Sequence, residues 1–217
     1  MVRKVQPTDF TSTWKHALEQ DGWYQAHDAL RADLAALQQM LGCFRTQLGA
    51  GLPLTRAQAA AAGRFLAAHL TFFHHHHHNE DDIAVPYLRT RCEMPDKISA
   101  DHAQLEAQPA PTPRSEPPLL DRLEQQMGRL LSPTALTCIQ QRALLEVAAV
   151  RGRAIVRSMD ATSVGVFLRP MSREQRRAFA RQEGIPFFIR WLLFRQAAKY
   201  EKKVWQPFER ECLQAGA

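Results

Sequence analysis

His76 and Glu80 stand four residues apart, within a segment whose flanking positions carry Leu and Phe at helical intervals. On a helix that spacing puts both side chains on one face, about 6 Å from each other. Steps of four and three from Ala62 reach Leu66, His69, Phe73, His76, Glu80, Ile83 and Tyr87, a seam that is apolar at both ends and polar in its middle. A carboxylate buried without a partner costs several kcal/mol. A divalent or trivalent metal ion is the partner that suits an imidazole and a carboxylate together. His27 sits on a second stripe (Trp23, His27, Leu30, Leu34, Leu37, Leu41), and His102 on a third (Ile98, His102, Leu105). Helical bundles build iron or manganese centres from imidazoles and carboxylates that project inward from several helices. His27, His76, Glu80 and His102 are thus candidate ligands of an iron or manganese ion.

Five consecutive histidines, His74 to His78, surround the central position. Helical geometry points them in all directions, so at most two can face one centre. His76 is the inward one, with His75 or His77 flanking it and His74 and His78 in solvent. His69, one heptad earlier, is a further ligand or an orienting partner. Asp81, Asp82 and Glu106 are expected around the ligands or at the surface, and His16 at the surface.

Other chemistries find little support. Every histidine precedes position 103, and neither a Gly-x-Ser-x-Gly nor a Gly-x-x-x-x-Gly-Lys motif occurs. Cys43, Cys92, Cys138 and Cys212 are widely separated, with no CxxC pair for a zinc ribbon or a dithiol redox site. The first ten residues form no apolar signal core, and no apolar run reaches the roughly 18 residues of a membrane span. These features lead us to expect a reducing, cytoplasmic setting.

The elements that must hold the four ligands are helices. With 217 residues, 45% hydrophobic and 23% charged, the chain has the makeup of a globular protein able to bury a core. It is rich in Ala, Leu, Gln, Arg and Glu, and its β-branched residues rarely cluster. The first helix is expected over 13–48, closed by Gly49, Gly51 and Pro53. Thr55 and Gln58 form a capping box that opens the second, which Pro86 should bend or end near Val85. A short helix starts at Ser99, and five prolines across 108–118 make an extended loop. A helix over 119–131 follows, striped by Leu120, Leu123, Met127 and Leu130, and then a long one from the Ser132–Pro133 start to about Arg157. Ser172 with Gln175 opens another, ended by Gly184 and Pro186, and the last runs over 187–204.

Charge is uneven along this chain. Residues 169–211 hold eleven Lys and Arg against five acids, which accounts for the whole net charge of +6. The expected organisation is a bundle over 13–170 and a basic helical extension over 171–217 that packs on it. The segment Pro186–Phe194 either packs as an extra helix or lies in a membrane interface, since Lys199, Lys202 and Lys203 follow its apolar bulk. An acidic protein or a membrane surface suits this basic end; no nucleic-acid motif accompanies it.

Three segments resemble the hemerythrin-like (HHE cation-binding) family: His27-Asp-Ala-Leu-Arg31, then His75-His76 with Glu80-Asp81 and Pro86, then Asp101-His102 with Leu105. They come in the family's order and cover about residues 20–110. The resemblance implies an all-α, up-down four-helix bundle with additional C-terminal helices. It implies a non-haem iron centre, usually of two irons, that handles oxygen, a small redox ligand or iron itself. Carried over, His27, His76, Glu80 and His102 match the family's ligands. The family's fourth helix brings another histidine and a carboxylate, whereas here the corresponding stretch, 153–165, offers Asp160 alone, as a bridging or compensating acid. A mononuclear, an asymmetric and a vestigial, metal-free site all stay compatible with this departure. So do a metal-dependent oxygenase or peroxidase and a bundle that acts through its surface.

Overall fold

The computed structural model describes residues 22–90 and 160–214, together with Ala100. Expectations for 1–21, 91–99 and 101–159, including the first helix before Gly22, His16, the Pro-rich loop, the helices over 119–157 and the ligand His102, lie outside the described residues. All described secondary structure is helical, and strands are absent from it.

Helix α1 spans Gly22–Gly49 and α2 spans Arg56–Asn79. Between them Gly51 takes a positive φ of 74°, where a side chain would be strained, and the chain reverses. Thr55 and Gln58 form both halves of the expected capping box. Contacts between the two helices pair His27 with His76, Asp33 with His69, and Gln47 with Gln58. Their reverse order shows that α1 and α2 run antiparallel.

The α1 stripe packs as its spacing requires, with Leu30, Leu34, Leu37 and Leu41 all buried. In α2 the buried face is displaced by one residue from the expected seam. Ala61, Phe65 and Phe72 are buried, while Ala62, Leu66 and Phe73 are half-buried flanks. A second shift occurs after Glu80. Residues Glu80–Ala84 form a π-helical turn, closed by the Val85 N–H bonding to the Glu80 carbonyl, before α3 resumes over Val85–Arg89. Pro86 has no N–H, and its ring collides with the carbonyl four residues back, so the helix takes in one extra residue there. The inserted residue turns Ala84, Val85 and Leu88 inward and leaves Ile83 and Tyr87 half-buried, so the expected bend is absorbed without ending the helix.

After position 160 come α4 (Ala161–Leu168), α5 (Arg173–Gln182) and α6 (Phe187–Tyr200). The Ser172–Gln175 capping box opens α5, and Gly184 at φ 61° follows its end. Helix α6 continues past its expected end through Glu201–Trp205, Gln206–Phe208 and Glu209–Leu213. Here Pro207 also stands two residues after a π-helical turn, as Pro86 does, with the Gln206 N–H bonding to the Glu201 carbonyl.

Two apolar clusters hold these helices together. One joins Ala29, Leu30, Ala68 and Phe72 to Val164, Phe167, Phe179, Ala197 and Tyr200. Its tightest approach is Gly165 against Tyr200, where an added Cβ would lie 2.4 Å from the tyrosine's own Cβ. The other joins Leu37, Leu41, Phe44, Ala61 and Phe65 to Phe208 and Cys212. Phe65 and Phe208 are fully buried and stack at 3.9 Å. Each large side chain buried this way contributes about 1.5–3 kcal/mol. The C-terminal helix is thus part of the core around α1 and α2.

Candidate metal centre

The start of α1 and the end of α2 bring three polar side chains to one point. Glu80 Oε1 lies 2.9 Å from His76 Nε2 and 3.6 Å from His27 Nε2. The two imidazoles meet edge to face at 4.7 Å. Each of the three residues offers one donor atom within 4.8 Å of the other two. His76 and Glu80 are buried, while His27 keeps a side-chain exposure of 34% and leaves an approach from solvent.

The donors fit a metal ion. Ligands bonded at about 2.0–2.2 Å lie roughly 3.0–3.5 Å apart when they occupy adjacent coordination positions. The distances from Glu80 Oε1 bracket that range. Two imidazoles and one carboxylate on one side of an ion, with the remaining positions open, is the donor set of non-haem iron(II) sites. An ion bound there would act as a Lewis acid and leave positions free for a small ligand such as dioxygen.

Local structure explains why these residues converge. His76 and Glu80 lie one turn apart at the end of α2, and the π-helical turn begins at Glu80 itself. Such turns are frequent at functional sites, because the extra residue re-aims the side chains next to it. His78 and Asp82 repeat the His–acid spacing two residues on and touch at 3.1 Å, yet both are largely in solvent, at 68% and 60% exposure. Spacing alone thus does not make a site; the face of the helix decides.

The neighbouring histidines divide as helical geometry requires. His74 and His78 are exposed, and His77 is buried with its ring 4.0 Å from Phe73. His75 is half-buried, with Nδ1 2.8 Å from the Ser163 hydroxyl. His69 is engaged one heptad earlier, where its Nδ1 lies 3.3 Å from Asp33 Oδ2.

Asp160 is placed differently from its expected role as a bridging carboxylate. It is the N-cap of α4, where its Oδ1 accepts the Ser163 backbone N–H at 2.7 Å, and it is about half exposed. Among the described residues, the imidazole beside it is that of His75, at 3.9 Å. A helix beginning at Ala161 needs an acceptor for its orphan N–H groups, and Asp160 Oδ1 supplies one.

A second buried polar cluster, which sequence reasoning missed, lies one heptad away along the same two helices, about 10 Å by helical rise. Asp33 is fully buried, and its Oδ1 accepts from Arg169 Nη2 at 2.7 Å while Oδ2 faces His69. The Arg169 guanidinium also lies over the Trp205 ring at 3.9 Å, a cation–π contact. Tyr200 is buried nearby, and burial together with the Asp33 charge holds its phenol well above the ordinary value. A signal for Asp33 existed, since it stands three residues after Leu30 and four before Leu37, on the core stripe. Nothing in the sequence marks Arg169 as its partner, 136 residues away.

No family model, curated protein or solved structure matches this chain. The class rests on the molecule itself: an all-helical protein with a buried histidine–carboxylate cluster between two antiparallel helices.

Proposed function

We propose that this is a hemerythrin-like protein, an up-down four-helix bundle with additional C-terminal helices that binds a non-haem metal, iron, to handle oxygen, a small redox ligand or iron. One observation carries the reading: Nε2 atoms of two imidazoles from different helices converge on a single buried oxygen of Glu80. Two imidazoles and a carboxylate, each with a donor atom within 4.8 Å of the others, make up a ligand set for such an ion. His27, His76 and Glu80 hold the ion in this reading, and His102 is the fourth ligand, from a third helix. His27, with its partial exposure, marks the side from which a small ligand enters.

A second reading has its own support. The 2.9 Å contact between His76 and Glu80 also suits an imidazole N–H donating to a carboxylate, in a bundle whose centre is vestigial. Asp160, whose Oδ1 caps α4, lies outside the three-residue cluster among the described residues.

Melting curves with and without iron(II) under anaerobic conditions separate the two. A ligand that binds only the folded state, at a hundred times its Kd, stabilises that state by about 2.7 kcal/mol. Iron should raise the melting temperature of the wild type and leave His76→Ala unchanged. Equal melting temperatures with and without iron in both proteins would contradict metal binding.

A further inference from the structure

The outer face of α6 carries the largest exposed apolar groups of the described residues. Phe187, Phe188, Trp191 and Leu192 are 79%, 68%, 58% and 43% exposed. Their spacing (i, i+1, i+4, i+5) gathers them on one side of the helix. The opposite side is anchored, with Ala197 and Tyr200 buried and Ile189, Leu193 and Phe194 packed against the core. One further turn along the exposed face is Arg195, whose guanidinium lies 5.3 Å from the Trp191 ring centre. Lys199 follows four residues later, then Lys202 and Lys203, all exposed. From Ile185 to Tyr200 the sequence has no Asp or Glu. Helix α5, immediately before, adds exposed Arg173, Arg177 and Arg181 at four-residue steps.

This face therefore has an aromatic end and a basic end, in line along one helix. The basic end selects an anionic partner, since its four exposed cations are interrupted only by Glu201, which is half-buried. The aromatic end requires that the partner also offer an apolar medium able to receive four bulky side chains that stand out from the surface. The boundary between headgroups and acyl chains meets both demands, and helices that lie in it carry Trp, Phe and Leu beside Lys and Arg. None of the described helices is long and apolar enough to cross a membrane, so contact is with the surface. We propose that the outer face of α6 binds an anionic lipid bilayer, with Phe187, Phe188, Trp191 and Leu192 entering the headgroup–acyl boundary and Arg195, Lys199, Lys202 and Lys203 lying against the headgroups. The attachment is independent of the metal centre.

Co-sedimentation of the full chain with vesicles tests this. Vesicles of phosphatidylcholine with about 30% phosphatidylglycerol should bind it at least tenfold more tightly than phosphatidylcholine alone, and salt should weaken the binding. The exposed Phe187→Ser/Trp191→Ser variant should melt like the wild type and lose binding at least tenfold. Lys199→Gln/Lys202→Gln/Lys203→Gln should lose roughly a hundredfold on the anionic vesicles alone. His76→Ala should bind vesicles like the wild type. Absence of binding by the wild type, or equal binding to both vesicle types, would overturn the proposal. So would equally tight binding of soluble polyglutamate that ignores the Phe187/Trp191 change, which would assign the face to an acidic polypeptide. A lipid-free dimer abolished by that same change would assign it to a second copy of the chain.

Discussion

Glu80 and Asp33 are both buried carboxylates, each beside a histidine of α2, yet their described contacts are arranged differently. Asp33 divides its two oxygens, one to Arg169 at 2.7 Å and one to His69 at 3.3 Å, and its cation is stacked in turn on Trp205. Glu80 instead presents one oxygen to two imidazoles, at 2.9 and 3.6 Å. The first arrangement neutralises a charge inside the core and ties α1 to α4 and to the C-terminal helix. The second gathers donor atoms around a point. The same residue types thus stand in two geometries, and the metal reading rests on the second.

The contrast breaks most severely at Arg169. Removing one partner of a buried ion pair costs about 3–5 kcal/mol, because the other charge is left uncompensated. Arg169→Ala should lower stability by that amount in denaturant unfolding. His76→Ala should do the reverse: it should lose the iron-dependent gain, about 2.7 kcal/mol at a hundred times Kd, and change the metal-free protein less. Gly165→Ala perturbs neither cluster directly but pushes α4 off Tyr200, and overpacking of this kind costs about 1–3 kcal/mol. Its iron response should survive.

The smallest effect concerns Tyr200. Its hydroxyl is buried with no hydrogen-bond partner among the described residues, so Tyr200→Phe should change stability by less than about 1 kcal/mol at neutral pH. The signature lies in alkali. An unfolded tyrosine loses its proton near pH 10, whereas the folded Tyr200 retains its own to higher pH. Stability is then complete below about pH 10 and falls as pH rises above it. In Tyr200→Phe that fall should be shallower.

Much of this was legible along the chain, because it depends on near neighbours. Both capping boxes, the α1 stripe, the Gly184 stop and the inward position of His76 and Glu80 follow from contacts within one or two helical turns. Periodicity failed where the period itself changes. The π-helical turn at Glu80 brings Ala84 and Leu88 inward in place of Ile83 and Tyr87, where Pro86 by itself leads one to expect a bend or an end. Partners distant in sequence were not legible. Asp33 stands on the core stripe, but only the packing of α4 shows that Arg169 meets it, and only the start of α4 shows that Asp160 is a cap.

Metal content of the untagged protein, compared across three backgrounds, tests the convergence at Glu80 most directly. Each background carries His74→Gln and His78→Gln, so that the exposed histidines bind no metal of their own. After anaerobic iron loading and removal of loose metal, elemental analysis should find at least one iron per chain in that background and in the same background with His69→Gln. Adding His76→Ala should abolish it. Iron that persists without His76, or that is absent from all three, would contradict a metal centre built on His27, His76 and Glu80.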